Sequence, residues 1–194
     1  GIYNSETYFI NNITYGVPVI WGCKTGITET TVIDDVRYGL YQLNDESYKV
    51  MVMDGKSFVG DYNMPSTVEI DGNNYSVDCF AYRAFSNNNS LVSVTLNNNV
   101  KSVSHYCFEY CRNLVSVNLG TSLELIEDGG FQHCKKLVNL VWSPSLRAID
   151  SWGFMDTAFT SIVIPSSITS INYAAFGSCD YLTKIYIPST VLWI

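Results

Sequence analysis

Apolar residues recur along the second part of the chain at a fixed long period, and phenylalanine marks it most plainly. Phe85, Phe108, Phe131, Phe154 and Phe176 are separated by 23, 23, 23 and 22 residues. Recurrence at that length is the signature of a repeat architecture. The flanking positions keep step. Five residues before each Phe stands an apolar residue, Phe80, Val103, Ile126, Ile149 or Ile171, and immediately before it a small one, Ala84, Cys107, Gly130, Gly153 or Ala175. Three after it come Asn88, Cys111, Cys134, Thr157 and Cys179, then an apolar residue, Leu91, Leu114, Leu137, Phe159 or Leu182.

A six-position alternation follows in each repeat, with inward residues Val94, Val117, Leu140, Ile162 and Ile185, then Leu96, Leu119, Trp142, Ile164 and Ile187. Period-two alternation predicts a β-strand. After a turn, Val100, Leu123, Leu146, Ile168 and Val191 complete the coil, and the fourth repeat is one residue short between Phe154 and Phe159. One coil cannot bury its own apolar edge, whereas stacked coils can, at roughly 0.8 kcal/mol per buried methylene. Residues 80–194 therefore predict a β-rich solenoid of about five repeats, its strands stacked in one parallel sheet and joined by short helical or irregular connections.

The pattern reaches back in fragments. Met64-Pro65-Ser66-Thr67-Val68 matches Ile164-Pro165-Ser166-Ser167-Ile168 and Ile187-Pro188-Ser189-Thr190-Val191, so a further strand ends at Met64. An insertion at 69–76 follows, with a hairpin turn at Asp71-Gly72-Asn73-Asn74. Residues 36–43 and 48–53 alternate around Asn44-Asp45-Glu46-Ser47, a second hairpin. Residues 31–79 read as a small β-rich cap, which a solenoid needs over its first open core face. Residues 1–30 show no period and stay unassigned.

Composition changes this picture in two ways. Hydrophobic residues make up 47% and charged residues 15% of the 194, enough for a substantial core. The net charge of −7 argues against nucleic acid or an anionic membrane as the main partner. Residues 1–78 hold 11 acids and 4 bases, whereas 79–194 hold 7 of each, which places a boundary near residue 79. No run of 18 apolar residues predicts a transmembrane span. The chain begins with Gly1, which reads as a processing or cloning scar and leaves a removed targeting segment open.

The segment Ala175-Phe176-Gly177-Ser178-Cys179, followed by Leu182-Thr183-Lys184-Ile185-Tyr186-Ile187-Pro188, resembles the BspA-type leucine-rich repeat. In that repeat an Ala-Phe-x-x-Cys turn and an Ile-Pro strand end recur at about this period. The resemblance covers 62–194, and the stretch from Tyr38 to Asp61 resembles the N-terminal unit such proteins often carry. It implies a right-handed leucine-rich-repeat coil in a secreted or surface-exposed bacterial protein, lipid anchoring after signal removal included. Its implied role is adhesion to host matrix proteins or other cells. No catalytic residue and no cofactor come with it. This chain departs from the pattern at Asn88 and Thr157 in the cysteine column and at Trp142 in the strand.

Candidate chemistry is thin. Cys111, Cys134 and Cys179 share one column, which does not converge on a metal as zinc ligands must, so they and Cys107 read as small buried thiols. Cys23 and Cys79 fall outside the columns, and a disulfide between them stays open. His105 and His133 sit in different columns, and nothing frames a nucleophile, so the chain is not expected to be an enzyme. Asp54-Gly55-Lys56-Ser57 lacks the first glycine of a phosphate loop, since position 50 is Val50, and reads as a turn. Asp71-Gly72-Asn73 lacks the rest of a calcium loop.

Outward strand positions are the better candidates. They form two rows, Ser93, Ser116, Asn139, Ser161, Lys184 and Thr95, Asn118, Val141, Val163, Tyr186. Of these, Ser93, Thr95, Asn118, Asn139, Val141, Val163, Lys184 and Tyr186 are the expected contacts to an extracellular protein or glycan. Ordinary β-propensity on a solvated strand explains the same residues, and a spacer or assembly unit without a ligand is the alternative function. The sequence stops in mid-repeat at Ile194, with Trp193 where other coils have Ser102, Ala148 and Ser170. The expectation there is either a longer natural chain or self-association through that end.

Overall fold

The computed structural model describes residues 26–192. Cys23, most of the unassigned segment, Trp193 and Ile194 lie outside them, and with them the Cys23–Cys79 pairing and the contact expected of Trp193. Six strands form the N-terminal part: β1 (Glu29–Ile33), β2 (Val36–Gln42), β3 (Tyr48–Asp54), β4 (Gly60–Asn63), β5 (Thr67–Ile70) and β6 (Asn73–Phe80). Nine follow in the coils: β7 (Leu91–Thr95), β8 (Ser102–Val103), β9 (Ser116–Asn118), β10 (Leu125–Ile126), β11 (Asn139–Val141), β12 (Ala148–Ile149), β13 (Ser161–Val163), β14 (Ser170–Ile171) and β15 (Lys184–Tyr186).

Five of the N-terminal strands make one sheet in the order β1-β2-β3-β6-β5. Both expected hairpins are present. Leu43 N donates to Ser47 O at 2.8 Å between β2 and β3, and Asp71 and Gly72 turn through positive φ (50° and 78°) between β5 and β6. β4 leaves this sheet and pairs in parallel with β7, so the strand ending before Met64 opens the solenoid ladder.

The phenylalanine column is one ladder. Ring centroids lie 5.2 Å apart for Phe85–Phe108, 5.1 Å for Phe108–Phe131, 5.3 Å for Phe131–Phe154 and 5.6 Å for Phe154–Phe176, with interplanar angles of 21°, 3°, 5° and 13°. The first four rings are fully buried, and Phe176, last in the column, is half-buried. Tyr62 covers the other end, 4.8 Å from Phe85. Gly55 lies beneath the same ring, where a Cβ would stand 2.1 Å from Phe85 Cε1. The Asp54-Gly55-Lys56-Ser57 turn thus caps the ladder, and only glycine leaves room for the ring.

The connections are not helical; none of the described residues is in a helix. Around each Phe the backbone makes rungs from coil to coil instead. Phe85 N donates to Cys107 O at 2.8 Å, Phe108 N to Gly130 O at 2.9 Å, Phe131 N to Gly153 O at 2.9 Å and Phe154 N to Ala175 O at 2.8 Å. Similar rungs start two residues before and two after the Phe, at Arg83, Tyr106, Gly129, Trp152 and at Asn87, Tyr110, His133, Asp156, where φ is positive, as it also is at Ala174 and Ser178 of the last Phe-bearing coil. A helix would spend those donors within its own coil. The small residue before each Phe is forced by close approach, since a Cβ on Gly153 would lie 2.7 Å from Ile149 Cγ2.

The cysteine column serves the same stacking. Cys111 Sγ donates to Phe85 O at 3.1 Å, Cys134 Sγ to Phe108 O at 3.1 Å and Cys179 Sγ to Phe154 O at 3.3 Å. Asn88 does this with its amide, donating to Gly55 O and Phe58 O at 2.8 Å each. Thr157 donates to Phe154 O in its own coil at 2.9 Å. The column requires a compact donor: Asn88 keeps the bond to the preceding segment, whereas Thr157 turns its hydroxyl to a carbonyl of its own coil, so the coil-to-coil bond is not made there. Cys111 and Cys134 are buried, while Cys179 is half-buried.

The single long sheet expected of the strands is divided. β4, β7, β9 and β11 pair in parallel, and β13 pairs with β15, but β11 does not pair with β13. The missing residue of the fourth repeat explains the break. Val115 N donates to Val92 O, Val138 N to Val115 O and Thr183 N to Thr160 O, yet in the short coil Ala158 N reaches Leu137 O. The rung slips, and the bonds that Leu96 N and Leu119 N make to Asn118 O and Val141 O have no counterpart from Trp142 among the described residues. A second parallel ladder escaped the sequence reading: β8, β10, β12 and β14 stack continuously on the apolar column five before the Phe.

Two outcomes test this. Phe131→Ala is expected to cost roughly 3–5 kcal/mol in denaturant unfolding, because rings on both sides leave little freedom to collapse. Inserting one residue between Thr157 and Ala158 should restore the β11–β13 pairing and slow amide exchange at Trp142. Unchanged exchange there would place the cause of the break in the Trp142 side chain instead.

Candidate functional site

The outward strand rows follow the register. Ser93 pairs with Ser116 and Ser116 with Asn139, and Thr95 with Asn118 and Asn118 with Val141. Val163 pairs with Tyr186, and Ser161 with Lys184. The structure therefore brings Ser93, Thr95, Asn118, Asn139 and Val141 together on one sheet and Val163, Lys184 and Tyr186 on another, separated at the break.

The two groups differ in how free they are. Ser93 Oγ donates to Asp61 Oδ1 at 2.6 Å, and Asn118 Oδ1 accepts from Gly120 N at 3.0 Å, so both are tied into the scaffold. Thr95 is half-buried, whereas Asn139, Lys184 and Val141 are exposed. Val163 is 62% and Tyr186 54% exposed, and Lys184 Nζ lies 5.7 Å from the Tyr186 ring centre. The face also includes residues the alternation did not single out. Asp61 and Asn63 on β4 extend it, and Val92 and Val138 border it as exposed apolar side chains. The recurring pairs Leu91-Val92, Leu114-Val115 and Leu137-Val138 carried that signal in the sequence.

Elsewhere several titratable groups are committed to partners. His133 Nδ1 lies 2.8 Å from Asp156 Oδ2, with Lys135 Nζ at 3.1 Å from the same oxygen, and its ring stacks on Tyr110 at 4.4 Å. Burial raises the Asp156 carboxyl, but the hydrogen bonds from His133 and Lys135 outweigh it and hold the group below its usual range. His105 Nδ1 contacts Glu127 Oε2, and this bond, opposed by burial, pushes the imidazole above its ordinary value. Burial pushes the Cys111 thiol up to about 12 and those of Cys107 and Cys134 upward as well, so they stand as unreactive thiols at neutral pH. Among the described residues no His, Cys, Asp and Glu converge in a metal-binding group. No helix of the described residues is long and apolar enough to cross a membrane.

The His105–Glu127 contact joins neighbouring coils and yields a signed pH dependence. With the folded value raised, its stabilisation is full below the unfolded value of about 6.5 and is lost as pH rises through the folded value. An NMR titration should place His105 above 6.5 in the wild type and lower in Glu127→Gln; equal values would refute the contact.

The comparisons with known proteins agree with this geometry. A leucine-rich-repeat protein from Bacteroides ovatus superposes with a TM-score of 0.72 at 24% identity, covering 83% of this chain and 42% of that one. The leucine-rich-repeat protein of T. pallidum gives 0.69 at 27% identity, covering 82% and 72%. The pneumococcal vaccine antigen PcpA gives 0.58 at 16% identity, covering 83% and 49%, a likeness of fold. The chain thus spans less than half of the B. ovatus protein. No curated protein matches. Proteins of this kind are often surface-associated, and their repeat is generally a non-enzymatic binding or scaffold fold. Six copies of the BspA-type leucine-rich repeat match residues 62–194, and the chain belongs to that family.

Proposed function

We propose that this chain is a non-enzymatic binding module of a secreted or surface-exposed protein, recognising a protein or glycan through its strand face. The observation that carries the reading is the exposed row Val141, Val163, Tyr186, with exposures of 58%, 62% and 54%, on strands whose inward residues run from half-buried Leu140 and buried Ile162 to Ile185, exposed in the last coil. Apolar and aromatic side chains held on a rigid ladder lose little conformational entropy when covered, which favours them as contact points. The carboxylate-bound histidines and the buried, up-shifted thiols support the absence of a catalytic centre. The adhesive role named for the resemblance and the surface habit of the family support an extracellular ligand.

A spacer without its own ligand is favoured by one observation, the locking of Ser93 to Asp61 and Asn118 to Gly120, which takes part of the face out of play. Binding to matrix proteins, mucins and a glycan array separates the two readings, with the wild type compared to a Val141→Lys, Val163→Lys, Tyr186→Ser triple variant. The binding reading expects a ligand whose capture falls at least tenfold in the variant. No ligand, or one bound equally by the folded variant, would favour the spacer.

A further inference from the structure

The columns two to four residues before each Phe build a second surface, separate from the strand rows. In the first Phe-bearing coil this surface holds a cation of its own. The Arg83 guanidinium carbon lies 5.2 Å from the ring centres of both Tyr82 and Tyr106, which meet edge to face at 6.0 Å. Arg83 Nη2 lies 3.2 Å from Glu109 Oε2. Aromatic faces with a carboxylate beyond them suit a guanidinium, which stacks and pairs at once.

The following coils keep the rings and the carboxylates without the arginine. In Arg83's column stand Tyr106, Gly129 and Trp152. Gly129 has φ 62°, and Tyr106 lies against it, where a Cβ would be 2.4 Å from the ring. Trp152 meets Tyr173 edge to face at 6.2 Å, and Tyr173 is 74% exposed. Beside these rings Glu127, Asp128 and Asp150 lie around one imidazole, His105, which contacts Glu127 and lies 3.8 Å from Asp128. Burial, then the Asp128 and Glu127 carboxylates, push the Asp150 carboxyl above its usual range. Three carboxylates thus gather around a single imidazole, of which Glu127 and Asp128 contact it.

We propose that this edge docks an arginine-bearing basic peptide segment, with a guanidinium seated against the Trp152 ring and paired to Asp128 and Asp150. Charge complementarity decides the occupant. A neutral sugar would stack on the rings but leave the carboxylates repelling one another, whereas a guanidinium satisfies both, as Arg83 does in its own coil. Arginine suits the site better than lysine because its planar head stacks on rings and is more weakly hydrated.

The test is calorimetric titration of the whole chain with a short arginine-glycine peptide and with its neutral citrulline counterpart. Saturable binding is expected, weakened at least tenfold by citrulline. Asp128→Asn/Asp150→Asn should weaken it at least tenfold, and so should Trp152→Ser. The asparagines keep the oxygen acceptors for Ser151 N (3.0 Å) and Asn172 Nδ2 (2.7 Å), so that variant retains the local bonds. Tyr186→Ser on the strand face should change nothing, which keeps this outcome apart from that of the strand-face reading. No saturable binding, equal binding of the citrulline peptide, or full affinity in the double asparagine variant would overturn the proposal, the last by assigning the attraction to the diffuse charge of −7.

Discussion

Each coil of this chain has to retrace the path of the one before it at the spacing of two stacked rings. The Phe85-to-Phe176 ladder sets that spacing at 5.1–5.6 Å, close to the natural separation of hydrogen-bonded strands. Ring stacking and backbone rungs therefore reinforce each other rather than compete. Much else follows from the match. The residue before each Phe is small because the apolar side chain four positions earlier in the same coil packs against it, and the residue three after it carries a donor that satisfies a nearby carbonyl, of the preceding coil for the cysteines. Left-handed residues on both sides of the Phe aim the turn's amides at the next coil. Non-glycine residues such as Trp152 and Tyr106 hold that conformation because the rungs fix them there.

With most inward positions and turn amides consumed in stacking, the proposed recognition rests on side chains that face away from it. Two such surfaces emerge with different chemistry. The strand face is polar and internally bonded near β4 and β7, then apolar and open toward β15. The turn edge combines rings with carboxylates and holds an internal guanidinium in its first coil. Both present side chains on the stacked frame of the coils.

Most of the architecture was legible because a repeat states each structural rule five times. The Phe column stands where the spacing put it, and the strand expected to end at Met64 ends one residue earlier at Asn63. The inward strand pairs hold up to Ile164, whereas Ile185 and Ile187 of the last coil are exposed. The second ladder was not visible, because two-residue strands such as Ser102–Val103 are too short to alternate. β1 was hidden for a different reason. Its turn into β2 is Asp34-Asp35, with φ of 48° and 61°, a pair without the glycine that usually marks such a hairpin. The break after β11 was legible only as a missing residue, and its effect needed the slipped Ala158 rung to be seen. On the strand face, alternation gave direction correctly but not freedom: nothing local to Ser93 or Asn118 says that one is held by Asp61 and the other by Gly120. The turn edge was missed because its rings and acids fall in neighbouring columns rather than in one.

If the ladder and its rungs act as one unit, the amides of Phe85, Phe108, Phe131 and Phe154 should exchange together. Native-state hydrogen exchange across a denaturant series tests this directly. A shared opening free energy for the four amides, converging on that of global unfolding, is the predicted result. Four distinct values rising or falling coil by coil would show that the coils open independently, and would contradict a stack held in common by the phenylalanine column.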